Sequence, residues 1–258
     1  MTKRKLPIGI QTFREIREDN CYYVDKTAYI HRLLNEGKHF FLSRPRRFGK
    51  SLFLDTCKEL FESNEPLFEG LYIHDRWDWS VRHPVLRLDF SSGTYQGPDD
   101  LREEVSAQLN ALEEEAEVIP RDDDTAPARF RRLMKVLHER SGQRVAVLVD
   151  ECDKPILDAL EVLDIARANR DFLRGLYSTI KDSDAHICFT LLTGVSKFSM
   201  AGPATRRAIE ALGNLGEDMQ EILPIAYRSL QGVHFLDICK SDRSQVRFIR
   251  GWLLNRAS

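Results

Sequence analysis

Short apolar runs alternate along this chain with longer segments of helical periodicity. Asn35 to Ser43 turns at Gly37 and then runs through Phe40-Phe41-Leu42, a short buried strand. Ser51 to Glu62 carries Leu52, Phe53, Leu54, Cys57, Leu60 and Phe61 at helical spacing. Val85 to Phe90 alternates with a period of two and predicts a second strand. Helices are expected at Leu101 to Glu117, Ala128 to Arg140 and Leu157 to Lys181. Val145-Ala146-Val147-Leu148-Val149 is continuously apolar, as a strand covered on both faces must be. His186 to Thr193 predicts a last strand. Strands that alternate with helices imply an α/β fold, a largely parallel sheet sandwiched by helices.

The junction between the first strand and the first long helix reads Arg44-Pro45-Arg46-Arg47-Phe48-Gly49-Lys50-Ser51. A phosphate-binding loop, G-x-x-x-x-G-K-[ST], belongs at such a junction. The second glycine, the lysine and the serine are present, and Arg44 stands where the first glycine would be. Gly49 lets backbone N–H groups close around phosphate oxygens with no side chain in the way. The helix that begins near Ser51 points its positive end at the same place. Lys50 can reach the β- and γ-phosphates, the Ser51 hydroxyl can ligate magnesium, and Arg46 and Arg47 add positive charge. The candidate nucleotide-binding set is Arg44, Arg46, Arg47, Phe48, Gly49, Lys50, Ser51 and Leu52.

Further along, the apolar run of Val145 to Val149 ends in Asp150-Glu151. That is the pattern of a Walker B strand, although acidic residues capping a following helix would look the same. In the first reading Asp150 supports magnesium, directly or through water, and Glu151 orients and deprotonates the attacking water. The strand ending at Leu192 is followed by Thr193-Gly194-Val195-Ser196-Lys197. Thr193 is the candidate sensor of the γ-phosphate, with Ser196 second and Lys197 a further contact; a polar strand end before a glycine turn is the plain alternative. The catalytic set is thus Glu151, Lys50 and Thr193, and the metal set Ser51 and Asp150.

Composition narrows the picture. The 258 residues are 42% hydrophobic and 30% charged, enough for one sizeable core. A net charge of −2 implies no general attraction to nucleic acid or membrane. Arg129, Arg131 and Arg132 form a small basic cluster, expected to be a solvated helix face, and Asp122-Asp123-Asp124 reads as a solvated loop. The five cysteines are scattered, with no C-x-x-C pair, which suggests neither zinc nor a disulfide framework and fits a reducing, cytoplasmic setting. No apolar run follows the basic N-terminus as in a signal peptide, and none is long enough to span a membrane.

Several motifs in order resemble the AAA-ATPase-like proteins of bacteria and archaea. They are Leu6-Pro7-Ile8-Gly9-Ile10-Gln11-Thr12-Phe13, Tyr23-Val24-Asp25-Lys26-Thr27 and Phe41 to Ser51. Then come Pro84-Val85 with Leu88-Asp89-Phe90-Ser91, Asp150-Glu151-Cys152-Asp153-Lys154-Pro155-Ile156, and Thr193 to Phe198. In that family Arg-Pro-Arg-Arg-Phe-Gly-Lys-Ser is itself the usual loop, so the resemblance accounts for Arg44. It implies a P-loop, RecA/AAA-like sheet over residues 1–199, with ATP and Mg2+ at the carboxyl ends of its strands, and it places the Tyr23 to Thr27 segment near the nucleotide. The choice of ATP over GTP rests on it alone.

Most members carry a further domain resembling PD-(D/E)XK nucleases, for which this sequence has no room. Residues 200–258 depart from the expected text, and only Leu212-Gly213-Asn214-Leu215 echoes it. A truncated or frame-shifted tail is the favoured expectation, a divergent small lid the other. The function implied is ATP binding with weak Mg-dependent hydrolysis. The alternatives are a regulatory module that ATP orders for a protein partner or a second copy, and a nucleic-acid-associated ATPase.

Overall fold

The computed structural model describes residues 4–44, 47–121 and 124–194. Two short helices, α1 (Phe13–Glu18) and α2 (Thr27–Glu36), precede the first strand, β1 (His39–Ser43). Then follow α3 (Lys50–Phe61), β2 (Val85–Asp89), α4 (Asp100–Glu115), α5 (Ala126–Ser141) and β3 (Val145–Asp150). The described part ends with α6 (Lys154–Leu157), α7 (Leu163–Asp182) and β4 (Ile187–Gly194). The four strands pair in parallel in the order β1-β4-β3-β2. The fold is therefore the expected α/β arrangement, a parallel sheet flanked by helices.

The order of strands explains the two layers. From β2 to β3 to β4 the chain steps one way along the sheet, whereas β1 to β2 strides the other way across two strands. Parallel crossovers are right-handed, so the two directions put their helices on opposite faces. Strand β3 is buried at every position and feeds both layers. Val145, Val147 and Val149 face a core shared with Val105 and Leu109 of α4, Leu133 and Met134 of α5, and Leu173 and Leu176 of α7. Ala146 and Leu148 face the other core, with Phe53, Leu54, Cys57 and Leu60 of α3. This second core is extended by Phe13, Ile30 and Leu33 of the N-terminal helices and by an aromatic chain in which Phe61 meets Phe189 at 5.2 Å and Trp77 at 5.6 Å between ring centroids. A register shift between β3 and β4 leaves Cys188 as the extra residue, its thiol donating to the Arg144 carbonyl at 3.3 Å.

One predicted element differs. The helix expected from Leu157 to Lys181 is broken: α6 ends at Leu157 and α7 begins at Leu163. Between them Val162 donates its N–H to the Ala159 carbonyl at 2.9 Å, a turn bond in place of the helical one. The break lets α6 fold back onto α7, where the buried Asn169 side chain donates to the Pro155 carbonyl at 2.9 Å. Helix α4 stops before Glu117 because that residue takes φ 51° and Val118 donates back to the Glu113 carbonyl at 2.8 Å, a left-handed helix stop.

The basic cluster of α5 also differs from expectation. Glu113 of α4 is fully buried, and it accepts hydrogen bonds from Arg129 Nη2 at 2.5 Å and Arg132 Nη2 at 2.9 Å. Arg132 also pairs with Asp124 at 2.8 Å, and the exposed Arg131 with Asp182 at 3.4 Å. Two of the three arginines hold helices together and are mostly covered rather than solvated. Asp122 and Asp123 of the acidic loop, and residues 195–258 with the candidate phosphate contacts Ser196 and Lys197 and the divergent tail, lie outside the described residues.

Candidate functional site

The carboxyl ends of β1, β3 and β4 lie side by side, and the chain leaves β1 and β3 toward opposite faces of the sheet. In open parallel sheets such a divergence opens a crevice in which ligands bind. The loop after β1 is tied to β4 at its start, where Arg44 N–H donates to the Gly194 carbonyl at 3.1 Å. Arg47 and Gly49 both take left-handed backbone, with φ 67° and 75°. At Arg47 this conformation is costly, a local strain of the kind concentrated at binding loops; at Gly49 it is free. Phe48 projects into solvent at the tip, and Ser51 and Leu52 are half-buried in the first turn of α3. Arg46 lies outside the described residues.

Lys50 opens α3, and its side chain is 3% exposed. Its ammonium donates to the Arg44 carbonyl at 3.1 Å and pairs with Glu151 Oε1 at 3.0 Å. The lysine is therefore tied to the start of the loop, and the carboxylate after β3 meets it. Lys50 and Glu151 were predicted from motifs far apart in the chain, and the sheet brings them into contact.

Asp150 is fully buried at the end of β3. Its Oδ1 accepts from the Thr193 hydroxyl at 2.5 Å and from Glu151 N–H at 3.1 Å, and the same N–H also reaches Thr193 Oγ1 at 3.1 Å. The Thr193 proton is thus committed to Asp150, and the residue braces the carboxylate from behind. Glu151 holds φ 50°, which turns the chain sharply out of the strand. Asp150 Oδ2 has no hydrogen-bond partner among the described residues, its nearest cation being Arg87 Nη2 at 4.0 Å. A buried carboxylate oxygen left open in this way, with a serine hydroxyl on the neighbouring helix, is a donor set suited to a hard divalent cation. Among the described residues no group of three or more His, Cys, Asp or Glu side chains forms a metal cluster, so any cation here would rely on ligand and water oxygens as well.

Four further residues complete the surroundings. Arg87 of β2 bonds Asp55 of α3 at 3.0 Å and Asp89 at 3.3 Å, and Asp55 in turn accepts the Phe13 N–H at 2.7 Å. A signal for Arg87 existed: it is the one positive charge in an alternating strand, on the face that α3 covers. Asp153 is buried so close to Gly194 that a Cβ on that glycine would lie 2.9 Å from the carboxyl carbon and both oxygens. Lys26, in the segment expected near the nucleotide, has its Nζ 3.8 Å from where a Gly49 Cβ would be. Asp25 beside it is a structural anchor, bonded to Thr27 and to the Tyr72 N–H at 2.7 Å.

The thiols near the site are quiet. Burial pushes the Cys57 and Cys152 thiols well above their ordinary range, and Cys152 is raised further by the Asp153, Glu151 and Asp150 carboxylates. Cys21, Cys57, Cys152 and Cys188 are all free. Among the described residues no helix is long and apolar enough to cross a membrane.

The family model described as Predicted AAA-ATPase matches residues 7–202, which takes in both loops and all four strands. The chain belongs to this AAA-ATPase-like family. It is also 58% identical over 200 residues to "Uncharacterized protein in vnfD 5'region" of Azotobacter chroococcum mcd 1. That stretch is 77% of this chain and 39% of the relative, so the chain spans well under half the length of that relative. Membership of the AAA-ATPase-like family supports nucleotide binding in general.

Proposed function

We propose that the crevice binds ATP with Mg2+ and hydrolyses it slowly, at a site of the P-loop, RecA/AAA-like kind. The reading is carried by the contact of Lys50 with Glu151 beside the open oxygen of Asp150. A phosphate-binding lysine, a carboxylate able to activate water and a second carboxylate able to support a cation are the parts that phosphoryl transfer to water requires.

The backbone of Arg47 to Lys50, at the positive end of α3, would receive phosphate oxygens. Lys50 would exchange the Glu151 carboxylate for the phosphate chain. That exchange frees Glu151 to take a proton from water. Ser51 and Asp150 would hold the magnesium, which when bound neutralises charge between the phosphates. Thr193 keeps Asp150 in one orientation. Phe48, Leu52, Arg44 and Arg46 complete the set proposed to surround the nucleotide, and the free thiols accord with a cytoplasmic location.

The same ion pair supports a second reading, an ATP-ordered module that signals to a protein partner or a second copy with little turnover, because Glu151 is held away from water until Lys50 releases it. The nucleic-acid reading receives less support, since Arg129 and Arg132 are engaged with Glu113.

A thermal melt with and without Mg-ATP, for the original chain and for Lys50→Ala, tests the binding. Ligand that binds only the folded state raises the melting temperature. A rise that vanishes in Lys50→Ala is the expected result, and equal rises in both would exclude this site. Phosphate release that ceases in Glu151→Gln then separates hydrolysis from the module reading, which expects negligible release from both.

A further inference from the structure

We infer that Lys26 is a second phosphate-binding lysine of the same crevice, delivered to the loop from the start of α2. The inference rests on the proposal that the loop of Gly49 and Lys50 binds a nucleotide. Its ligand class is the polyphosphate chain of that nucleotide.

The position of Lys26 is built rather than incidental. Its neighbours on both sides are locked. Asp25 Oδ1 accepts from Thr27 N–H at 2.8 Å and from the Thr27 hydroxyl at 2.7 Å, and Asp25 Oδ2 accepts from Tyr72 N–H at 2.7 Å. The fully buried Thr27 hydroxyl accepts in turn from Ile73 N–H at 3.1 Å. This network clamps the N-terminus of α2 to the segment after α3 and aims the half-buried Lys26 side chain at the loop, with Nζ 3.8 Å from the Cβ position of Gly49.

The two lysines then differ in a way that matters. Lys50 is paired with Glu151 at 3.0 Å, whereas the Lys26 ammonium makes no ion pair and no hydrogen bond among the described residues. Asp25, its sequence neighbour, has both carboxylate oxygens occupied by other donors. An ammonium held over a loop whose backbone is already suited to anions, and without a counterion of its own, adds charge-assisted bonds to an arriving phosphate oxygen. It needs no exchange to do so, while Lys50 must first leave Glu151.

The test is calorimetric titration of the whole chain with Mg2+ and a non-hydrolysable ATP analogue, for the original, Lys26→Met, Lys26→Arg and Lys50→Ala, each with its ligand-free melt. Lys26→Met keeps the stem and loses the charge. It is expected to weaken binding by about tenfold, the worth of one hydrogen bond to a charged group, with its ligand-free melt unchanged and most of the affinity restored in Lys26→Arg. Lys26→Met that binds like the original while Lys50→Ala does not would overturn the role of Lys26 and leave the phosphate-loop reading standing. A loss in Lys26→Met that comes with a lowered ligand-free melt and is not restored by Lys26→Arg would mean a structural lysine, and overturns the inference. Absence of binding by the original chain would overturn both readings together.

Discussion

The ammonium of Lys50 and the carboxylate of Glu151 form an ion pair of 3.0 Å in a setting where the two side chains are 3% and 14% exposed. At such burial an ion pair is costly to break by removing one partner, because the other charge stays behind with less compensation. Under the proposed function the consequence is competition: a phosphate that takes Lys50 would displace Glu151. Glu151→Gln should therefore lower the ligand-free melting temperature and enlarge the rise given by a non-hydrolysable ATP analogue with Mg2+. Paired melts of the original and the variant read both quantities, and an unchanged ligand-induced rise would count against the competition.

Thr193 is the brace of the site, donating to Asp150 Oδ1 and accepting from Glu151 N–H. Thr193→Val keeps the shape and removes both bonds. Leaving buried polar groups short of a partner costs about 1–3 kcal/mol, to be read from urea unfolding midpoints. Thr193→Ser should recover most of that loss. If the Ser variant is destabilised and the Val variant is not, packing of the methyl group rather than the hydroxyl is what matters.

Glu113 supports an acid-sensitive joint between α4 and α5. Burial by itself would raise its pKa, but the hydrogen bonds and charges of Arg129 and Arg132 outweigh burial and hold the carboxyl below its ordinary value. A carboxyl with a depressed pKa in the folded state contributes stability that is complete above the ordinary carboxylate range. That contribution is lost as pH falls through the folded-state pKa. Unfolding free energy measured in urea should therefore decline on acidification, and Glu113→Gln should flatten this decline. The substitution should also cost about 3–5 kcal/mol near neutral pH, as two covered guanidinium groups lose their carboxylate. An acid limb that is as steep in the variant would assign the effect to other groups.

Gly194→Ala tests the close approach of β4 to the segment after β3. The new Cβ would lie 2.9 Å from the Asp153 carboxyl carbon, so the carboxylate or the strand end must move. Overpacking of this kind costs about 1–3 kcal/mol. The expected outcome is a lowered melting temperature together with weaker nucleotide binding, since Arg44 N–H hangs from the Gly194 carbonyl. A variant with the original melt would show that Asp153 has room to yield.

Much of the architecture was legible in the chain because it depends on local pattern. The continuous apolar run of Val145 to Val149 announces a strand covered on both sides, and that is how β3 sits. The period of two in Val85 to Leu88 announces β2, and helical spacing from Ser51 announces α3. The break at residues 158–162 was not legible, since its apolar spacing suits a helix. It goes with Asn169 bonding the Pro155 carbonyl, a contact between residues that only meet in the fold. The basic cluster misled for the same reason: Arg129 and Arg132 look solvated until Glu113, on another helix, is placed beneath them.

The sequence by itself determined the strands and most of the helices, the glycine that permits the turn before Lys50, and the residue types able to handle phosphate and a cation. These are set by side-chain periodicity and by the φ that a residue tolerates, both properties of a few neighbouring positions. Only the tertiary structure decided that Lys50 meets Glu151, that Thr193 is turned toward Asp150, and that Lys26 stands beside Gly49. Those relationships depend on strand order and on where the chain crosses the sheet, and such long-range choices are fixed by the packing of whole layers.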